Sequence, residues 1–106
     1  MNKIIASGHL TKSVEVRYTG QGLAIATFTL AVKRETKNKE GNYETDFLNC
    51  VAYGKQAETI SKYLDKGSQV AIEGRIQTGS YEKDNRKVYT TDIVVEKVEF
   101  LSKKGE

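Results

Sequence analysis

The side chains best suited to bind something are concentrated in one run, Asp46-Phe47-Leu48-Asn49-Cys50-Val51-Ala52-Tyr53-Gly54-Lys55. At the period of two that a strand imposes, Leu48, Cys50 and Ala52 share one face, and Phe47, Asn49, Val51 and Tyr53 share the other. The second face carries two aromatic rings with a polar group between them, about 20 Å apart at roughly 3.3 Å per residue. Lys55 adds a cation beside Tyr53. Rings interleaved with polar and basic groups accept any nucleobase through its π-face and hold the backbone by charge. The same pattern suits a strand buried on both sides, one against a core and one in a subunit interface, because aromatic and β-branched residues are good strand formers.

Other chemistry is poorly supplied. The chain has one histidine, His9, and one cysteine, Cys50, too few for a zinc site within one chain. The carboxylates are dispersed and His9 has no evident partner, so neither a nucleophile–base pair nor a metal-binding cluster is expected. No enzyme activity and no cofactor follow from these residues. One cysteine also excludes an internal disulfide and fits a cytosolic protein. No run approaches the apolar length of a membrane span, and the first residues lack a secretory leader.

At 106 residues the chain makes one domain. A net charge of +3 leans weakly toward an anionic partner, which requires the cations to be concentrated locally.

The elements that must position these groups are mostly strands. Asn2 to Leu10 reads as a first strand, with Gly8 marking a bulge or bend. Ser13 to Tyr18 alternates cleanly and either continues that strand or forms a short extra one. Leu23 to Arg34 is the second strand, with Ala24, Ala26, Phe28, Leu30 and Val32 toward the core. Its other face, Thr27, Thr29, Ala31 and Lys33, is small enough for something flat to lie on. Thr36 to Glu44 reads as the loop of a long hairpin. Lys33, Arg34, Lys37 and Lys39 cluster there against Glu35 and Glu40, as an electrostatic groove for phosphates needs, although a solvated charged loop has the same composition.

Thr45 to Tyr53 is the third strand. Gln56 to Lys66 is the one helix candidate, with Ala57, Ile60 and Leu64 at helical spacing and Gly67 placed as its C-terminal cap. Ser68 to Tyr81 is the fourth strand. There Val70, Ile72, Gly74, Ile76 and Thr78 share one face, and Arg75, Gln77 and Tyr81 form a second polar, basic and aromatic face. A polar turn over Glu82 to Lys87 leads to the fifth strand, Val88 to Leu101. The expected fold is therefore all-β: a five-stranded barrel of the oligonucleotide-binding (OB) type, with one short helix between the third and fourth strands.

The ordered sequence resembles the bacterial and phage single-stranded DNA-binding protein family across nearly its whole length. The likeness is carried by Asn2-Lys3-Ile4-Ile5 with Gly8 and Leu10, and by Glu15-Val16-Arg17-Tyr18 with Ala26-Thr27-Phe28-Thr29-Leu30-Ala31. It continues through Phe47 to Lys55, through Tyr63-Leu64-Asp65-Lys66-Gly67-Ser68-Gln69-Val70 with Ile72-Glu73-Gly74-Arg75, and through Tyr89-Thr90-Thr91-Asp92. The resemblance implies a homotetramer around which single-stranded DNA wraps without sequence preference, in replication, recombination and repair. It implies base stacking by Phe47, Tyr53 and Tyr81, phosphate contacts by Lys3, Lys55 and Lys66, and polar contacts by Asn49, Arg75 and Gln77.

Some positions depart from the family's pattern. The stacking positions are often tryptophan, which this chain lacks, and Thr36 and Val14 stand where the family usually has an aromatic residue and a proline. The expected division is a DNA-binding domain over 1–102 and a short polar tail over 103–106, without the family's acidic tip. Recruitment of replication and repair proteins is expected only if such a tip exists beyond this chain. Two other readings fit parts of the pattern: an OB-type binder of another kind, such as a primosome accessory or an RNA binder, and a surface used only for self-assembly. An enzyme is a third reading, without the nucleophile–base pair or carboxylate cluster it would need.

Overall fold

A computed structural model describes residues 1–101; the polar tail expected over 103–106 lies outside the described residues. Strand β1 (Ile4–Leu10) is followed by β2 (Glu15–Tyr18), β3 (Ala24–Lys37) and β4 (Tyr43–Tyr53). Helix α1 (Lys55–Tyr63) then leads to β5 (Gln69–Lys83) and β6 (Arg86–Phe100). The segment over Ser13 to Tyr18 is thus a separate short strand, and the helix falls between β4 and β5.

Five of the strands close on themselves. β1 pairs antiparallel with β5, β5 with β6, and β3 with β4; β4 and β6 meet in parallel through Cys50–Ile93 and Val51–Val94. His9 and Leu10 at the end of β1 pair with Ala31 and Leu30 of β3, which completes the ring, and β2 adds to β3 from outside. This is the closed barrel with a single helix that the element order implies.

The barrel closes at Gly8. A Cβ built there would lie 2.1 Å from the carbonyl oxygen of Ala31, so only glycine lets β1 pass from β5 onto β3. Asn2 extends the β1–β5 ladder by one rung. Its side-chain amide donates to Ile76 O at 2.8 Å, and its Oδ1 accepts from Ile76 N–H at 2.9 Å.

The alternation of β3 sets the core as expected: Ala24, Ala26, Phe28 and Leu30 are buried and Val32 packs against them. Cys50 and Ala52 of β4, Val70 and Ile72 of β5, and Ile93 and Val95 of β6 fill the remainder. α1 packs on β2, β3 and β4 and contributes Ala57 and Ile60.

The helix is shorter than its apolar spacing predicts. It ends at Tyr63, and Leu64 is already extended (φ −114°, ψ 145°), with its N–H bonded to Ile60 O at 2.9 Å. Leaving the helix lets Leu64 reach the core, where it is buried. Gly67 caps nothing. It sits with φ +86° in the Asp65–Ser68 turn, closed by Ser68 N–H to Asp65 O at 3.0 Å and tied to Leu10 by two backbone bonds.

The hairpins also differ from expectation. β3 and β4 reach past the predicted loop to Lys37 and Tyr43, because Asn38 closes a shorter one. Its Oδ1 accepts the N–H groups of Glu40 at 2.9 Å and Asn42 at 3.0 Å. Within β5–β6, Glu73 faces Lys97 and Gly74 faces Val95, so Glu96 is an extra residue in a bulge that bends the pair. Beyond the bulge the hairpin leaves the core. Ile76, which shares the strand face of the buried Val70 and Ile72, is 43% exposed. The arm runs out to a two-residue turn at Asp84 and Asn85, both at positive φ, as a tight hairpin demands.

Cys50 is buried among apolar neighbours, and desolvation, aided by the charge of Asp92, pushes its thiol up to about 12. At pH 8 only about one molecule in ten thousand then carries the reactive thiolate. Alkylation by iodoacetamide should be undetectable in the native protein and complete in denaturant. Native labelling at the denatured rate would show that the β4–β6 seam opens readily.

Candidate nucleic-acid interface

β4 turns Phe47, Asn49 and Tyr53 outward, at the parity expected. Phe47 is 65% exposed and Tyr53 43%. The neighbouring positions on β3 are Ala31 opposite Phe47, Thr29 opposite Asn49 and Thr27 opposite Val51. These side chains are too small to hide the rings, so the face is flat between two aromatic platforms. β4 is thus not buried on both sides within the chain.

The β5–β6 arm makes this face concave. A groove of about 500 Å³ is lined by Thr27, Thr29, Asn49 and Tyr53 on one side and by Gln77, Asp92 and Val94 on the other. Lys12 and Arg17 supply positive charge at its border and Glu15 a carboxylate. Lys12 lies in a patternless segment that gave no signal. Arg17 was legible only as the polar side of a short alternating strand. Tyr81 lies on the same face of the arm as Gln77, two rungs farther out, and is exposed.

The expected cations are not equivalent. Lys55 opens α1 beside Tyr53 and is exposed. Lys66 is exposed in the turn whose Asp65 accepts the Ser13 hydroxyl at 2.7 Å, so that turn borders the groove near Lys12 and Ser13. The ammonium groups of Lys33 and Lys37 lie 4.5 and 5.6 Å from the ring centre of Tyr43.

Lys3, Arg34 and Arg75 instead face carboxylates. Lys3 reaches Glu96 at 2.8 Å and Glu73 at 3.2 Å; Arg75 donates to Gln77 at 2.8 Å and lies 3.9 Å from Glu96. Arg34 grips Asp46 through two nitrogens, at 3.0 and 2.9 Å, and Glu44 at 2.8 Å. Each of these three meets a phosphate only by exchanging one anion for another.

The bond from Arg34 holds the Asp46 carboxyl below its ordinary value of 3.8. A carboxyl lowered by folding stabilises above its unfolded pKa, and that stabilisation is lost as pH falls through the folded value. Asp46→Asn should therefore melt slightly below the parent at pH 7, and the gap should narrow as the pH falls below the ordinary value of 3.8. A gap that persists in acid would mean that the substitution acts through packing and not through charge.

Among the described residues no group of three or more His, Cys, Asp or Glu side chains could hold a metal ion, and no helix is long and apolar enough to cross a membrane. The model of the single-strand binding protein family matches residues 1–101. The chain belongs to this family.

Relatives in the family are similar over almost the whole chain. The single-stranded DNA-binding protein of Bacillus cereus is 50% identical over 102 residues, covering 95% of this chain and 60% of its own length. Single-stranded DNA-binding protein 3 of Listeria innocua is 50% identical over 105 residues, covering 98% and 66% respectively. Single-stranded DNA-binding protein A of Bacillus subtilis is 45% identical over 106 residues, covering 99% and 62%. The chain thus spans about three fifths of the length of the curated relatives it matches.

Proposed function

We propose that this member of the single-strand binding protein family binds single-stranded DNA without sequence preference, protecting it in replication, recombination and repair. The observation that carries the reading is the outward face of β4, where Phe47 and Tyr53 stand exposed on either side of Asn49 above small β3 residues. Stacking on such rings is tolerant of sequence because every base has a π-face. Lys33, Lys37, Lys55 and Lys66 neutralise phosphates directly, while Lys3, Arg34 and Arg75 do so after leaving their carboxylates. Tyr81, Asn49 and Gln77 add contacts along the arm and groove.

The chain acts as a homotetramer. Self-association is supported by Ile5, 77% exposed on β1, and by the edge of β1 from Ile4 to Ser7, which has no strand partner opposite β5 among the described residues. A cytoplasmic location goes with this function. Replication and repair proteins are recruited by an acidic tail where the whole protein carries one.

The test is titration of a fluorescently labelled dT oligomer at two salt concentrations, with a duplex control. Binding to the single strand alone is expected, with a log–log salt slope of about −0.7 per phosphate neutralised. No binding at low salt would overturn the reading and turn attention to protein contacts.

A further inference from the structure

We propose that Tyr43 is a third base-stacking platform, and that Lys33 and Lys37 hold the phosphates flanking the base it carries; this rests on the single-stranded DNA reading above. Tyr43 has the parity of Phe47 and Tyr53 on β4, so all three project from one face. It lies about 13 Å before Phe47 and about 33 Å before Tyr53 at the rise of a strand. Tyr43 is 45% exposed and takes no part in the core. Only Thr45 separates it from Phe47 on this face, and the pairing of β3 with β4 is irregular beside it, between Lys33 and Lys37.

The charges around the ring point to a nucleotide. Lys37 is the register partner of Tyr43 and Lys33 that of Thr45, which brings both ammonium groups to the one ring. Cation–π attraction holds them there. Two like charges on one ring also repel each other, and an anion between them relieves that repulsion.

The nearby carboxylates do not pair with these lysines: Glu35, between them on β3, and Glu40 in the turn make no ion pair among the described residues. Glu44 is taken by Arg34 at 2.8 Å and Asn38 at 3.4 Å, and Asp46 is gripped by Arg34. Among the described residues neither Lys33 nor Lys37 has an ion-pair partner. Arg34 is therefore a positioning residue: by occupying Glu44 and Asp46 it keeps these two carboxylates from the lysines. A ring with two unpaired cations is the combination that a base and its adjoining phosphates require.

The chain has no tryptophan, so Tyr43→Trp places a single indole reporter at the site. Its emission should be quenched by a dT oligomer and much less by the same oligomer made abasic. In the otherwise unaltered chain, Tyr43→Leu keeps an apolar strand residue but removes the π-face. It should weaken dT binding by about five- to hundredfold with little change in salt slope. Lys33→Ala with Lys37→Ala should instead reduce the slope by about 1.4.

Unchanged Tyr43→Trp emission overturns the proposal. So does a Tyr43→Leu protein that binds as the parent does while Phe47→Ala is impaired; Tyr43 is then only a brace for the hairpin, and DNA binding stands. If the parent itself ignores dT, both readings fall.

Discussion

Replacing Phe47 with alanine should weaken binding to a dT oligomer by about five- to 150-fold at fixed salt, the equivalent of one stacked base at about 1–3 kcal/mol. The ring is 65% exposed and lies outside the core, so its removal opens no cavity. Its register partner is Ala31, whose side chain is too small to depend on it. The melting temperature of the variant should therefore match that of the parent. Because the loss is one of stacking, the salt slope should also be preserved. Anisotropy titrations at two salt concentrations, set beside a thermal melt, separate these terms. A large drop in melting temperature would place the ring in a buried interface and not on DNA.

The largest effect on stability is expected from Gly8→Ala. The new methyl group would lie 2.1 Å from Ala31 O and 3.3 Å from Val32 Cγ2. The nearer contact is with backbone, which has no rotamer to escape through. Relief requires β1 to move away from β3 at the point where the barrel closes, which disturbs the pairing of His9 and Leu10. A cost of roughly 3 kcal/mol or more is expected, at the severe end for overpacking. In a domain of this size that lowers the melting temperature by roughly 10–20 °C. A Gly8→Ala protein that melts with the parent would show that β1 seats on β3 with slack.

What could be read from the sequence follows from what each signal reports. Alternation in Ala24–Val32 and Leu48–Tyr53 was informative because one side of each strand faces a core, so period and burial coincide. The same alternation continues through Ile76 and Thr78, where it reports only the pleat of a hairpin that has left the barrel. The bend responsible is a bulge at Glu96, a mismatch between two strands that neither shows alone. Leu64 kept helical spacing yet serves the core from an extended backbone. The apolar pattern identified a buried residue there and misjudged the element carrying it.

The site divides in the same way. Phe47, Asn49 and Tyr53 were legible because one strand positions all three. The state of the cations was not, since the partners of Lys3 are Glu73 and Glu96, remote in sequence and adjacent only once β1, β5 and β6 are assembled. Arg34 meets Asp46 through the hairpin register. Tyr43 was hidden by the turn-forming residues before it, although extending the period of Phe47 backward would have placed it on the face.

The pairing of β1 with β5 has a consequence for how the chain is made. Ile4 lies opposite Gly74 and Gly8 opposite Val70, so β1 leaves the ribosome well before its main partner exists. At a synthesis rate of about 5–20 residues per second the delay is roughly 3–14 s, much longer than a hairpin takes to form. β3 and β4 are complete within that interval and can zip together at once, whereas β1 waits with an open edge and an exposed Ile5. Nascent chains crowded on one message therefore carry β1 unpaired on both edges, and pairing with β5 covers only one of them, leaving Ile5 and the edge from Ile4 to Ser7 exposed in the folded chain.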